Sequence, residues 1–233
     1  MLQVPIYLTV FFVLITFTTT ALFWWVLKVS KNAEQQPKWS RLFLGGSFLW
    51  LGLQAFLSFQ GAYYKHLNAL PPRIAVLGLI PPLVVIVALF LLPSGKRFMD
   101  SLTLPSLTML HVIRIPVELV LYGLFLAGTI PELMTFAGRN FDILAGLTAP
   151  LMVYWVWRPP AFRRNLLLVW NVLSLMLLLN IVIHALLAAP FPLQQLAFDQ
   201  PNVAVLYFPF SWLPTYVVPV VLFCHLAALR QVY

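Results

Sequence analysis

The chain has 233 residues, 62% hydrophobic and only 9% charged, with a net charge of +8. Soluble domains carry about 25% charged residues, and one core of this size cannot hide so much apolar surface, so an ordinary soluble domain is excluded and lipid must solvate much of the chain. The positive charge, which in a soluble protein points to nucleic acid, reads here as loop charge that sets membrane topology.

A spanning helix needs about 20 mainly apolar residues, and seven stretches approach this: 4–27, 41–62, 74–93, 106–129, 141–157, 165–188 and 209–230. The first has no basic residue before Lys28 and reads as a signal-anchor inserted N-terminus first, not as a cleavable signal peptide. Pro81 and Pro82 interrupt the third, which predicts either a kink there or a short re-entrant piece ahead of a helix starting near Ile80. The fifth is short and is expected to begin a turn earlier, near Arg139. Lys28, Lys31, Lys38, Arg41, Lys96, Arg97, Arg158, Arg163, Arg164 and Arg230 fall at alternate ends of these spans, while the opposite ends hold only Lys65, Arg73 and Arg139. The positive-inside rule then places the N-terminus outside and the C-terminus in the cytoplasm. Trp24, Trp25, Trp39, Trp155 and Trp157 at inner ends and Tyr63, Tyr64 and Trp212 at outer ends suit headgroup level. The expected fold is an all-α integral membrane protein, one seven-transmembrane-helix bundle over 1–233, in a plasma-type (cell inner) membrane. The longest connection, 189–208, is apolar and is expected to hug the membrane, or else to fold over the bundle mouth as a lid.

The fourth span contains HVIRIPVELVLYG, residues 111–123. At about 100° per residue, His111, Arg114, Glu118 and Tyr122 fall on one helix face. Such a stripe must face the bundle interior, because Arg at the bilayer centre costs on the order of 3 kcal/mol or more. Pro116 cannot donate to the carbonyl of Val112, so a break and the charges share one place. Arg114 and Glu118, four apart, could pair, although Arg-then-Glu is the weaker order. By depth, Gln54, Asn171, Ser174 and His225 from other helices could join them in one polar cluster, with Glu118 as acid and Arg114 as fixed charge. Intramembrane ionisable groups point to a ligand site or proton relay; the plainer reading is that they lock helix packing.

A second polar group lies near the outer surface and includes Glu132, Arg139, Asn140 and Asp199. Within it His66, Asp142 and His184 offer zinc chemistry, but they come from separate loops and helix ends without HxxxH spacing. His111 and His225, at similar depth, allow a bis-histidine haem, though neither lies in a haem-binding pattern. Lone Cys224 precludes an internal disulfide and reads as a small buried group. Ala145 and Ala149 form a small-xxx-small pair suited to close helix approach.

Absences narrow the field. The seventh span has no lysine for a retinal Schiff base, and the chain lacks a Walker A loop, GxGD, CxxC, the DRY and NPxxY signatures, and the paired HxxxH of seven-span hydrolases. What remains first is a multi-pass protein that binds or transports a small solute, lipid-like ligand or proton around Arg114 and Glu118. The alternatives are a membrane-embedded metal- or haem-dependent enzyme and an accessory subunit of a larger complex. The lipid bilayer is the one partner the composition requires; nucleic acid is not expected, and oligomerisation or a partner subunit stays open.

Overall fold

The computed structural model describes residues 3–32, 36–155 and 160–232, and among them every regular element is helical. Trp157 and Arg158 of the sequence reading lie outside the described residues, as does the side chain of Arg163. The helices are α1 (Ile6–Lys28), α2 (Gln36–Phe59), α3 (Ile80–Leu91), α4 (Pro93–Ser101), α5 (Leu104–Met109), α6 (Arg114–Leu126), α7 (Ile143–Trp155), α8 (Pro160–Ala188) and α9 (Val218–Val232). Five stretches are long and apolar enough to cross a membrane: Ile6–Lys28, Gln36–Phe59, Leu104–Leu126, Arg164–Ala188 and Leu213–Val232. A sixth results if Ala75–Leu91 and Pro93–Ser101, bent by 92°, are one broken span. Many large apolar side chains lie exposed along these helices, among them Ile6, Leu49, Val84, Leu151 and Met176, as a lipid-facing surface requires.

Prolines shape the irregularities, though not all where expected. Pro81 and Pro82 sit in the first turn of α3, where a missing N–H costs little, and a π-helical turn, Ala75–Leu79, leads into it. The sharp bend comes instead at Leu92, extended (φ −77°, ψ 136°) as the residue before a proline must be. A matching π turn, Leu213–Val217, precedes α9 and its Pro219. Such turns leave carbonyls without their usual donors, and side chains of α2 supply them: Trp50 Nε1 donates to the Thr215 carbonyl at 2.8 Å and Gln54 Nε2 to the Leu77 carbonyl at 3.0 Å. The two π turns touch. A Cβ on Gly78 would stand 2.4 Å from Thr215 Cγ2, so only glycine permits this approach.

The span 104–126 runs through the middle of the bundle. Its apolar face (Ile113, Val117, Val120 and Leu121) is buried against α1 and α9 rather than turned to lipid. Pro116 has the expected effect: the chain tightens to a 3₁₀ turn at Leu110–Ile113 and restarts as α6 at Arg114.

One end of the bundle gathers four chain segments. Lys31 N–H donates to the Ser101 carbonyl at 2.7 Å, Arg230 pairs with Asp100 at 2.9 Å, and Arg164 Nε donates to the Val232 carbonyl at 2.7 Å. The exits of α1 and α9, all of α4 and the start of α8 therefore share one side, which carries Lys28, Lys31, Lys96, Arg97, Arg164 and Arg230.

The fifth expected span differs most from expectation. Instead of starting early, near Arg139, α7 starts late, at Ile143, and spans only 13 residues, about 20 Å at 1.5 Å per residue. The chain before it, 127–142, folds back into the bundle without regular helix beyond one 3₁₀ turn, and buries Ile130, Met134, Thr135 and Asn140. Non-helical backbone is tolerated at membrane depth only where protein covers it; these four residues are covered, while Glu132, Arg139 and Phe141 stay exposed.

The 189–208 connection also turns inward. Gln200 Nε2 donates to the carbonyls of Phe125 (3.0 Å) and Ile130 (2.5 Å), the Asn202 N–H donates to the Ala188 carbonyl at 2.8 Å, and Tyr207 stacks on Tyr64 at 4.4 Å. It covers the bundle mouth opposite the basic end, although Leu193 and Phe198 remain exposed.

Candidate functional site

Arg114, the first residue of α6, is 2% exposed and every part of its guanidinium is engaged. Nε donates to Asp142 Oδ2 at 2.6 Å and Nη2 to Asp142 Oδ1, a bidentate pair. Nη2 also donates to the Ser174 carbonyl, and Nη1 meets His225 Nε2, both at 3.1 Å. Paired forks of this kind are the strongest charge-assisted bonds available to arginine. The late start of α7 produces the arrangement: Asp142 immediately precedes that helix, so it reaches the depth of Arg114, and a carboxylate suits the positive end of the helix dipole.

Asn140 holds this turn in shape. Its Oδ1 accepts the Asp142 N–H at 3.0 Å, while its Nδ2 donates to Glu118 Oε1 at 2.6 Å and to the Met134 carbonyl at 3.1 Å. Glu118 therefore bonds Asn140 and not Arg114, and the i, i+4 pairing allowed by the sequence does not form. The guanidinium is drawn sideways to a better-aligned carboxylate on another element. Glu118 Oε2 is buried and has no hydrogen-bond partner among the described residues.

The histidines complete the cluster. His225 Nδ1 meets Asn171 Oδ1 at 3.0 Å, and Asn171 Nδ2 donates to the Leu167 carbonyl at 2.8 Å. The His111 ring stacks on His225 with centroids 3.8 Å apart, and Trp170 presents its ring to both, at 5.4 Å and 5.9 Å. Trp170 is itself fixed by Nε1 donating to Thr148 Oγ1 at 2.9 Å. Both nitrogens of fully buried His111 lack a hydrogen-bond partner among the described residues. Stacked rings lie side by side and leave no space for a porphyrin plane between their nitrogens, so this geometry is not that of axial haem ligation.

Of the residues the sequence singled out, His111, Arg114, Glu118, Asn171 and His225 come together, and Ser174 contributes its carbonyl. Gln54 does not join them. It belongs to a separate knot with Leu77 and with Tyr63, whose hydroxyl donates to Gln54 Oε1. Burial pushes the Tyr63 phenol up to about 12, so it stays a donor. Tyr63→Phe is expected to cost about 1 kcal/mol, read as a small drop in Tm. Tyr122 points away, stacked on Phe136 at 4.9 Å. The proposed zinc set does not converge: His66 is exposed, Asp142 is held by Arg114, and His184 Nδ1 meets the Asn180 carbonyl at 2.8 Å. Among the described residues, no group of three or more His, Cys, Asp or Glu side chains is arranged to hold a metal ion.

Asn140, Thr148 and Trp170 join the site without being expected there. Two signals bear on them. Asn-x-Asp before an apolar helix is a turn-and-cap pattern, and Trp170 falls inside its span rather than at headgroup level, where such rings gather.

The family described as Domain of unknown function (DUF8737) matches residues 71–233. The chain belongs to that family. The match contains the whole cluster, from His111 to His225, and leaves out α1 and α2, so in this DUF8737 member the polar site lies within the family segment. No curated protein and no solved structure matches the chain.

Proposed function

We infer that this protein is a seven-span membrane protein, N-terminus outside and C-terminus in the cytoplasm, that binds and relays a proton at the Glu118–His111–His225 cluster. The basic residues gathered at one end support that topology under the positive-inside rule, with 127–142 and α7 together making the fifth crossing. A plasma-type membrane follows from the same rule. One observation carries the site reading: Arg114 is fully committed to Asp142, His225 and Ser174, whereas Glu118 Oε2 and both His111 nitrogens are buried without a hydrogen-bond partner among the described residues.

These unpartnered groups are the ones that exchange protons. A carboxyl that keeps one oxygen on Asn140 can take up a proton on the other, and an imidazole stacked on a second imidazole can accept and return one. A solute needs room; a proton needs only an acceptor. Intramembrane carboxyl and imidazole chains serve this role in pumps and transporters, and helix ends broken at mid-membrane favour ion sites. In this reading Arg114 and Asp142 are the lock that holds the relay in register.

Glu118→Gln keeps the acceptor for Asn140 and removes the titrating oxygen. In proteoliposomes with an entrapped pH dye and the membrane potential clamped, wild type is expected to conduct protons and Glu118→Gln to lose at least tenfold of that flux at unchanged Tm. Equal flux in the two proteins, or none in wild type, rejects the relay.

A further inference from the structure

We propose that the lateral groove between α2, α3, α4 and α9 is a binding site for one acyl chain of an anionic glycerophospholipid from the leaflet at the basic end of the bundle. The groove has a volume of about 420 Å3, within the range of about 300–1,000 Å3 typical of ligand sites. It runs from Trp39 and Phe98 at the basic end to Trp50 and Thr215 near mid-membrane, and Leu42 and Val85, 61% and 59% exposed, form its open side. It is a separate place from the Arg114 cluster.

Its chemistry selects hydrocarbon. Most of the few polar groups along the wall are already engaged: Tyr216 bonds Ser47 at 3.0 Å and Thr20 at 2.9 Å, and the Trp50 N–H is held by the Thr215 carbonyl. A polar solute would find few donors or acceptors to replace its water, whereas a methylene chain loses nothing by entering. Gly46 widens the groove, since a Cβ there meets nothing within 4 Å.

Charge at the basic end selects the headgroup. Trp39 and Phe98 close that end with ring centroids 4.3 Å apart. Beside them in sequence stand exposed Lys38 and Arg41 on α2 and exposed Lys96 and Arg97 on α4. Helix α4 leaves α3 at 92°, burying Phe98 and Met99 while exposing its basic residues, the pattern of a helix lying in the interface. Each basic residue near an anionic surface adds attraction, so four around one groove mouth favour an anionic over a zwitterionic headgroup.

The test uses full-length protein purified in mild detergent and stripped of lipid, then titrated with phosphatidylglycerol or phosphatidylcholine of identical chains. Tm is followed, and bound lipid is counted by native mass spectrometry. Phosphatidylglycerol is expected to raise Tm and leave one retained lipid, with phosphatidylcholine at least fivefold weaker. Gly46→Phe, whose Cβ meets nothing within 4 Å and whose ring is placed to occupy the groove, should keep the lipid-free Tm and lose the retained lipid. Lys38→Glu with Arg97→Glu should abolish the preference while tail binding persists. Equal response to both lipids in wild type, or undiminished retention by Gly46→Phe, overturns the proposal.

Discussion

Asp142→Ala is expected to cost about 3–5 kcal/mol, the usual price of leaving one member of a buried ion pair behind, and in detergent to leave little monodisperse protein. The loss is large because Asp142 neutralises Arg114 through both guanidinium arms, and no second carboxylate is bonded to that guanidinium. The variant also unties the turn at Asn140, which orients Glu118. Adding Arg114→Met to Asp142→Ala should recover part of the stability, since a buried pair replaced on both sides is far less costly than one broken on one side. Recovery stays incomplete because the Ser174 carbonyl and His225 lose a donor. Folded yield and Tm of the two single variants and the double variant form a cycle that isolates the coupling. Wild-type Tm in Asp142→Ala would mean the pair does not anchor α7 to α6.

Gly146→Leu is the second large effect. Gly146 lies between Ala145 and Ala149, the small pair visible in the sequence, and all three are buried. A Cβ on Gly146 would sit 2.8 Å from Ile115 Cγ1, 3.1 Å from the Ile115 nitrogen and 3.3 Å from the His111 carbonyl. The last two are backbone and cannot swing aside, so a leucine must push α7 off the 110–115 segment. Overpacking of this sort costs about 1–3 kcal/mol, and here the displacement also draws Asp142 away from Arg114. Proton flux should fall together with Tm. Gly52→Ala on α2, whose Cβ meets nothing within 4 Å, is the control: it should hold or gain stability by about 0.5–1 kcal/mol, the usual helix preference of alanine over glycine. A Tm for Gly146→Leu equal to that of the control would show that the two helices can separate freely.

Membrane class, the positions of six of the apolar stretches and the break at Pro116 were all legible in the sequence, because lipid imposes length and polarity rules on each span separately. The stripe of His111, Arg114 and Glu118 was legible for the same reason: helical periodicity alone puts them together, and hydrocarbon forbids them to face out. Which partners they take was not. Gln54 satisfies the rule of matching depth and Tyr122 the rule of shared helix face, yet both belong to other contacts, and Asp142, at the start of the fifth expected span, reads as part of the outer polar group.

The deciding event is tertiary. Because 127–142 folds into the bundle instead of completing a helix, the start of α7 drops to the level of Arg114 and carries Asn140 and Asp142 with it. Hydropathy leaves most of this stretch between two spans, as a polar connection near the outer surface; it cannot see that the protein itself buries part of it. The sequence by itself thus determined that these charges must turn into the bundle, and on which helix face. The tertiary structure alone decided that Arg114 would pair with Asp142, leaving Glu118 Oε2 and both His111 nitrogens in this cluster without a partner among the described residues, because pairing depends on which backbone reaches a given depth and not on spacing along one helix.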